Sequence, residues 1–130
     1  MDCRVVNVPL TGPAFGLKLH REGEVGVVGV QGEIDLVTSP YLGQALNEVR
    51  RRNILMDLTG AEFIDSSGVS VLCQSHYRQR QDGRELTLLC DTGPVLNALK
   101  LFGAHRLLQI VSPAPAMNGD GVASASAAQR

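Results

Sequence analysis

The apolar positions along this chain change period several times, and each change marks an element. From Phe15 to His20 they alternate strictly, with Phe15, Leu17 and Leu19 on one side and Gly16, Lys18 and His20 on the other. A period of two with one polar side predicts a strand that has one wet face, here placed at a sheet edge. Arg21-Glu22-Gly23-Glu24 is a hairpin-sized turn. Val25 to Val30 is denser in apolar residues and is expected to be its more central, antiparallel partner. Ile54-Leu55-Met56, running into Asp57 and Leu58, is too short for a helix and reads as a strand buried on both faces. A turn is expected at Thr59-Gly60, then a short apolar pair, Phe63-Ile64. Leu86 to Cys90 reads as another buried strand, and Leu107 to Val111 as a last strand or docked segment.

Between these strands the period lengthens to that of a helix. Thr38-Ser39-Pro40 opens the first one, with Ser39 expected as cap and Pro40 at the first helical position. Its apolar stripe is Leu42, Ala45, Leu46 and Val49. A second helix begins at Asp65-Ser66-Ser67-Gly68, and at about 100° per residue Val69, Leu72, Cys73, His76 and Tyr77 share one arc. Val71 falls on the opposite side, beside Gln74, Ser75 and Arg78. It is either an isolated apolar residue or a contact for a partner. A third helix follows Thr92-Gly93-Pro94, carries Val95, Leu96, Leu99 and Phe102, and ends at Gly103 as a residue past a helix C-terminus should.

The predicted order is β-β-α-β-α-β-α-β, preceded by a Val-rich start that forms a short strand or a loose arm. A hairpin leading into βαβ units gives a mixed α/β sheet, parallel in its centre, antiparallel at the N-terminal edge, with helices packed on it. The expected division is an arm at 1–14, one domain at 15–111 and a tail at 112–130. Thirteen of the nineteen tail residues are Ala, Ser, Gly or Pro, a composition expected to stay disordered.

Composition narrows the function. The chain has 130 residues, is 44% hydrophobic and carries a net charge of −1, which suits a single domain with a real core. Arg50-Arg51-Arg52 is the one basic cluster; it closes a helix, where cations favour the dipole, so no nucleic-acid partner is expected. No apolar run approaches a membrane span, so neither a membrane nor a signal peptide is expected. The three cysteines, Cys3, Cys73 and Cys90, lack metal-ligand spacing, and with dispersed histidines they predict reduced thiols in a cytoplasm and no metal site. No cofactor is expected.

The stretch with chemistry to offer is the corner at Asp65-Ser66-Ser67-Gly68. It places a carboxylate and two hydroxyls at a helix N-terminus, just past a buried strand, where sites in α/β sheets tend to lie. A nucleophilic serine would need a base and an orienting group, and neither a GxSxG elbow nor a histidine near the corner supplies them. A phosphoaspartate receiver centred on Asp57 would need an acidic pair after the first strand and a lysine near the fifth, and the only lysines are Lys18 and Lys100. Asp57 reads more simply as a strand-end residue accepting backbone amides. A binding module whose serine is modified by a kinase needs no local activation, because the kinase brings base and metal. Serines that merely cap the helix weigh equally with it on spacing alone.

Three segments carry a resemblance: Val30-Gln31-Gly32-Glu33-Ile34-Asp35, the strand Ile54 to Leu58, and Phe63 to Val69 around the DSSG corner. Together with Leu86 to Cys90 and Val95 to Val111 they resemble the STAS family, specifically its stand-alone anti-sigma factor antagonists, over about Phe15 to Val111. The resemblance implies a non-enzymatic protein that binds an anti-sigma factor, itself a GHKL-type serine kinase, and so frees a sigma factor. It implies phosphorylation of Ser66 as the off-switch, reversed by a PP2C-type phosphatase, and it implies that Asp35 lies beside the phosphoacceptor at the partner surface. The expected partner-binding set is Asp35, Asp65, Ser66, Ser67, Gly68 and Val71. Gly68 is expected close to the partner or to the preceding strand end, where a Cβ would be unwelcome. The alternative is a STAS-type scaffold or ligand-binding module in another signalling assembly.

Overall fold

The computed structural model describes residues 3–8 and 14–113. Its strands are β1 (Cys3–Val8), β2 (Phe15–Glu22), β3 (Val25–Ile34), β4 (Asn53–Ile64), β5 (Leu86–Leu89) and β6 (Gln109–Val111). Its helices are α1 (Ser39–Glu48), α2 (Ser66–Gln81) and α3 (Pro94–Leu101), and a single 3₁₀ turn spans Ala104–Arg106. The tail expected from Ser112 falls, from residue 114 on, outside the described residues.

All six strands form one sheet in chain order, β1-β2-β3-β4-β5-β6. The β1–β2 and β2–β3 pairs are antiparallel; β3 through β6 run parallel. The mixed sheet is thus the one the element order predicts. Two placements differ. The N-terminal segment pairs with β2 from Cys3↔His20 to Val8↔Phe15, so β2 is an inner strand rather than an edge. The hairpin turn is also tighter than expected, confined to Gly23-Glu24, with Gly23 at φ 61°, a conformation glycine adopts without a Cβ clash.

The period of two decides which face is buried. Leu19, Val28, Met56, Leu88 and Ile110 are successive register partners, and this row heads the core-facing layer. Leu42, Ala45 and Leu46 of α1, Val69 and Leu72 of α2, and Val95 and Leu99 of α3 complete the same cluster. The neighbouring row, Lys18–Gly29–Asp57–Leu89–Val111, lies on the opposite face. There Leu55 and Asp57 are only half-buried, so β4 is buried on one face, not two as expected. An apolar run is therefore ambiguous: Leu55 and Leu89 are apolar residues on the lightly covered side.

The largest departure is at Thr59-Gly60. No turn forms there; β4 continues for twelve residues. Against β3 its register slips twice, once between Gly29/Gln31 and once between Gly32/Glu33, each time with an extra residue on β4. Such bulges absorb a residue without ending the ladder. Asp57 Oδ1 accepts the Thr59 amide at 2.9 Å and the Thr59 hydroxyl at 2.6 Å, a local bond that competes with regular pairing at the first bulge. Because the strand continues, β4 delivers Ile64 level with Ile34 of β3.

Helix α2 packs on two sides. Val69, Leu72 and His76 are buried as the arc predicts, but Tyr77 is 65% exposed. The opposite side, expected to be solvated apart from Val71, meets α1: Ser75 is buried, Arg78 Nη1 donates to Asn47 Oδ1 at 3.0 Å, and Val71 is half-buried against the core. Gly43 of α1 faces it, since a Cβ there would stand 3.8 Å from Val71 Cγ1.

Candidate functional site

Parallel strands β3 and β4 end side by side at Ile34 and Ile64, about 5 Å apart as neighbouring strands are. One residue further along each stands an aspartate, Asp35 and Asp65. The Asp65 amide still donates to the Ile34 carbonyl at 3.0 Å, so the two strand ends are tied at the point where the chains diverge.

Asp65 is the N-cap of α2. Its backbone is extended, and its Oδ1 accepts the amides of Ser67 at 2.8 Å and Gly68 at 3.2 Å. Two of the orphan donors of the helix start are thereby satisfied by the carboxylate rather than by a serine. Ser66 is the first helical residue and is exposed; among the described residues no hydrogen bond engages its hydroxyl. Ser67 is half-buried.

Gly68 is buried, and of its two expected neighbours it meets the strand ends. A Cβ there would lie 2.6 Å from Ile34 Cγ2 and 2.7 Å from Ile64 Cγ1. Residue 68 therefore sets how closely α2 seats on β3 and β4. Val71, one turn on, is half-buried beside Gly43 of α1.

On the β3 side the connection into α1 is a closed knot of hydrogen bonds. Asp35 Oδ1 accepts the amides of Val37 and Thr38, both at 3.0 Å. The Asp35 amide donates to Thr38 Oγ1 at 2.8 Å, and the Thr38 hydroxyl donates to the Glu33 carbonyl at 2.8 Å. Thr38, which is 1% exposed, occupies the N-cap position of α1; the expected cap, Ser39, is instead the first helical residue and buried. Ser outranks Thr as a cap in general, but here the Thr38 hydroxyl is taken up by the Asp35 turn and the Glu33 carbonyl, and Thr38 caps α1 by position only, with no side-chain cap bond.

Sequence reasoning missed the apolar residues flanking the two aspartates. Leu36 is 75% and Val37 60% exposed, directly after Asp35; Phe63, two residues before Asp65, is 44% exposed. The signal was present in Leu36-Val37: two bulky apolar residues in a connection, outside every strand or helix stripe, have no core to enter. Among the described residues no group of three or more His, Cys, Asp or Glu side chains is placed to hold a metal, and no helix is long and apolar enough to cross a membrane.

Residues 17–114 match the STAS domain. The chain belongs to the STAS family. It is 30% identical over 94 residues to an anti-sigma-B factor antagonist of Listeria monocytogenes, covering 70% of this chain and 82% of that one. It is 31% identical over 96 residues to an anti-sigma F factor antagonist of Paenibacillus polymyxa, covering 70% and 80%. Among solved structures, an anti-sigma factor antagonist from Mycobacterium paratuberculosis superimposes with a TM-score of 0.65 at 23% identity, covering 82% of this chain and 85% of that one. The sheet of six strands with three helices is thus the STAS fold.

Proposed function

We propose that this chain is an anti-sigma factor antagonist switched by phosphorylation of Ser66. In the unmodified form it binds an anti-sigma factor that is also a GHKL-type serine kinase, and a sigma factor is released. Phosphorylation at Ser66 ends the binding, and a PP2C-type phosphatase restores it. The chain is not an enzyme in this scheme, and the kinase reaction places it in the cytoplasm. The observation that carries the reading is the exposed, unbonded Ser66 hydroxyl at the start of α2, in a chain whose relatives are named as antagonists of anti-sigma factors.

The electrostatics support an off-switch. A phosphate on Ser66 adds about −1.5 to −2 charges. A helix N-terminus favours an anion by about 0.3–1 kcal/mol, but here Asp65 already occupies the amides of Ser67 and Gly68. The phosphate would compete with a carboxylate for the same donors, with Asp35 at the neighbouring strand end. Against an interface that includes Ser66, lost contact and like-charge repulsion cost several kcal/mol, so the interface term outweighs the dipole and the partner is released. Asp35, Leu36, Val37 and Phe63 extend the contact surface around Ser66, with the apolar side chains as its desolvated part.

The test combines the chain with its cognate anti-sigma kinase and MgATP. One phosphate is expected, at Ser66; Ser66→Ala abolishes incorporation yet still binds the kinase, and Ser66→Asp weakens binding. Phosphate mapped by mass spectrometry to Ser67 or Thr59 with Ser66 unmodified would reject the assignment. Equal binding by modified and unmodified chain would reject the switch. Retention from lysate of a serine-independent partner set, with no such kinase, would favour a scaffold role instead.

A further inference from the structure

The end of the sheet opposite the corner carries a feature the phosphoswitch does not use. Beneath the start of β3, between β1, β2 and the end of α1, lies a cleft of about 570 Å³, within the range of small-molecule sites. Buried Leu19 and half-buried Val49 contribute apolar wall; Arg4, Arg21 and Arg52 line it, against one acid, Glu48. Arg4 pairs with Glu48. Among the described residues the Arg52 guanidinium pairs with Glu24 alone, at 3.8 Å, and Glu24 is 97% exposed, so the pair is weak. Arg21 enters no ion pair among the described residues. His20, also on the wall, stands 3.3 Å from Glu22.

The arginine run Arg50-Arg51-Arg52 reads from sequence as a helix-closing cluster, and the α1 carbonyl end does favour a cation. That account does not extend to Arg4 and Arg21, which arrive from β1 and β2 only because those strands pair antiparallel beside β3. Guanidinium forks that are not consumed by carboxylates match phosphate oxygens in charge and geometry.

We propose that this cleft binds a small organic phosphate, with its apolar body against Leu19 and Val49 and its phosphate on Arg21 and Arg52. The site lies far from the switch: β4 runs its full twelve residues between the two ends of the sheet, on the order of 35 Å at strand rise. Occupancy is therefore readable independently of Ser66.

The experiment is a ¹⁵N–¹H NMR titration of the full chain with phenyl phosphate and, separately, inorganic pyrophosphate, at constant ionic strength. Saturable shifts are expected for the amides of Leu19, Arg21, Gly26 and Val49, with phenyl phosphate the tighter because it uses the apolar wall. The double variant Arg21→Gln/Arg52→Gln should weaken binding by at least about tenfold, since two charge-assisted contacts are lost. Exposed Arg21→Gln alone serves if the double variant does not fold. Shifts reproduced by sodium chloride, undiminished binding by the variants, or shifts centred on Ser67 and Gly68 would overturn the assignment.

Discussion

Gly68 is the residue on which the corner's geometry turns. Its missing side chain lets α2 approach the Ile34 and Ile64 side chains, and a Cβ would need 2.6 Å where contact requires well over 3 Å. Both neighbours are buried and cannot swing away, so Gly68→Ala overpacks the site and should cost about 1–3 kcal/mol. Gly29→Ala is the control: on the lightly covered face, its Cβ meets only the Lys18 carbonyl at 3.8 Å, and stability should change by less than about 0.5 kcal/mol. Urea midpoints for the two variants check this; similar losses in both would refute the packing account. His76 is a second residue with a measurable signature. It is 5% exposed, and its Nδ1 has no hydrogen-bond partner among the described residues. Burial, and secondarily the charge of Arg80, hold its imidazole below the ordinary 6.5. As pH falls through 6.5 the unfolded chain takes up a proton that the folded chain resists, so stability should drop toward acid pH by at most about 1.4 kcal/mol per pH unit. Unfolding at pH 7.5 and 5.5 should show this drop, and His76→Leu should flatten it; an unchanged slope in the variant would exclude His76 as its source.

At the scale of the element, α2 depends on one carboxylate for its start. Asp65 satisfies two amides, and no acidic residue follows in the first turn to compensate. Asp65→Ala should therefore cost about 1 kcal/mol, within the 0.5–2 kcal/mol usual for a lost cap. Asp65→Asn keeps an acceptor and should recover most of that loss while removing the charge next to Ser66. Thermal or urea unfolding separates the two variants, and equal destabilisation would mean that the charge, not the acceptor, holds the helix start. The α1 connection has a parallel design, in which Asp35 and Thr38 bond each other and the backbone of Glu33. Two helices thus begin from rigid aspartate turns at adjacent strand ends, which gives the exposed Ser66 a fixed surrounding.

For the whole molecule, the single core makes a graded prediction about the thiols. Cys3 lies exposed on the outermost strand, Cys73 is half-buried on α2, and Cys90 is buried past the end of β5. Burial pushes the Cys73 thiol up, and burial with the nearby Asp91 charge pushes that of Cys90 up to about 11. Since the thiolate is the reactive species, iodoacetamide at pH 8 should modify Cys3 first, Cys73 more slowly and Cys90 only after unfolding. Early labelling of Cys90 would mean that the α3 side of the core opens readily. The same global view separates two charged ends, an acidic corner around Asp35 and Asp65 and an arginine-rich end around the α1–β4 connection.

The strand periods, the three helices, the α/β order and the significance of Asp65-Ser66-Ser67-Gly68 were legible in the chain, because local periodicity and capping chemistry depend on neighbours only a few residues away. The pairing of the N-terminal strand with β2 was not, since an edge strand and an inner strand with one wet face carry the same alternation. Nor was the continuity of β4: Thr59-Gly60 has turn composition, and only the β3 ladder beside it makes a bulged strand the better solution. Val71 looked misplaced until α1 was laid against α2, and Gly68 showed its purpose only with Ile34 and Ile64 beneath it. Arg4, Arg21 and Arg52 are distant in sequence and come to line one cleft only through strand pairing. Short-range order follows from the sequence alone; which faces are covered, and which distant charges converge, is decided by how the elements pack.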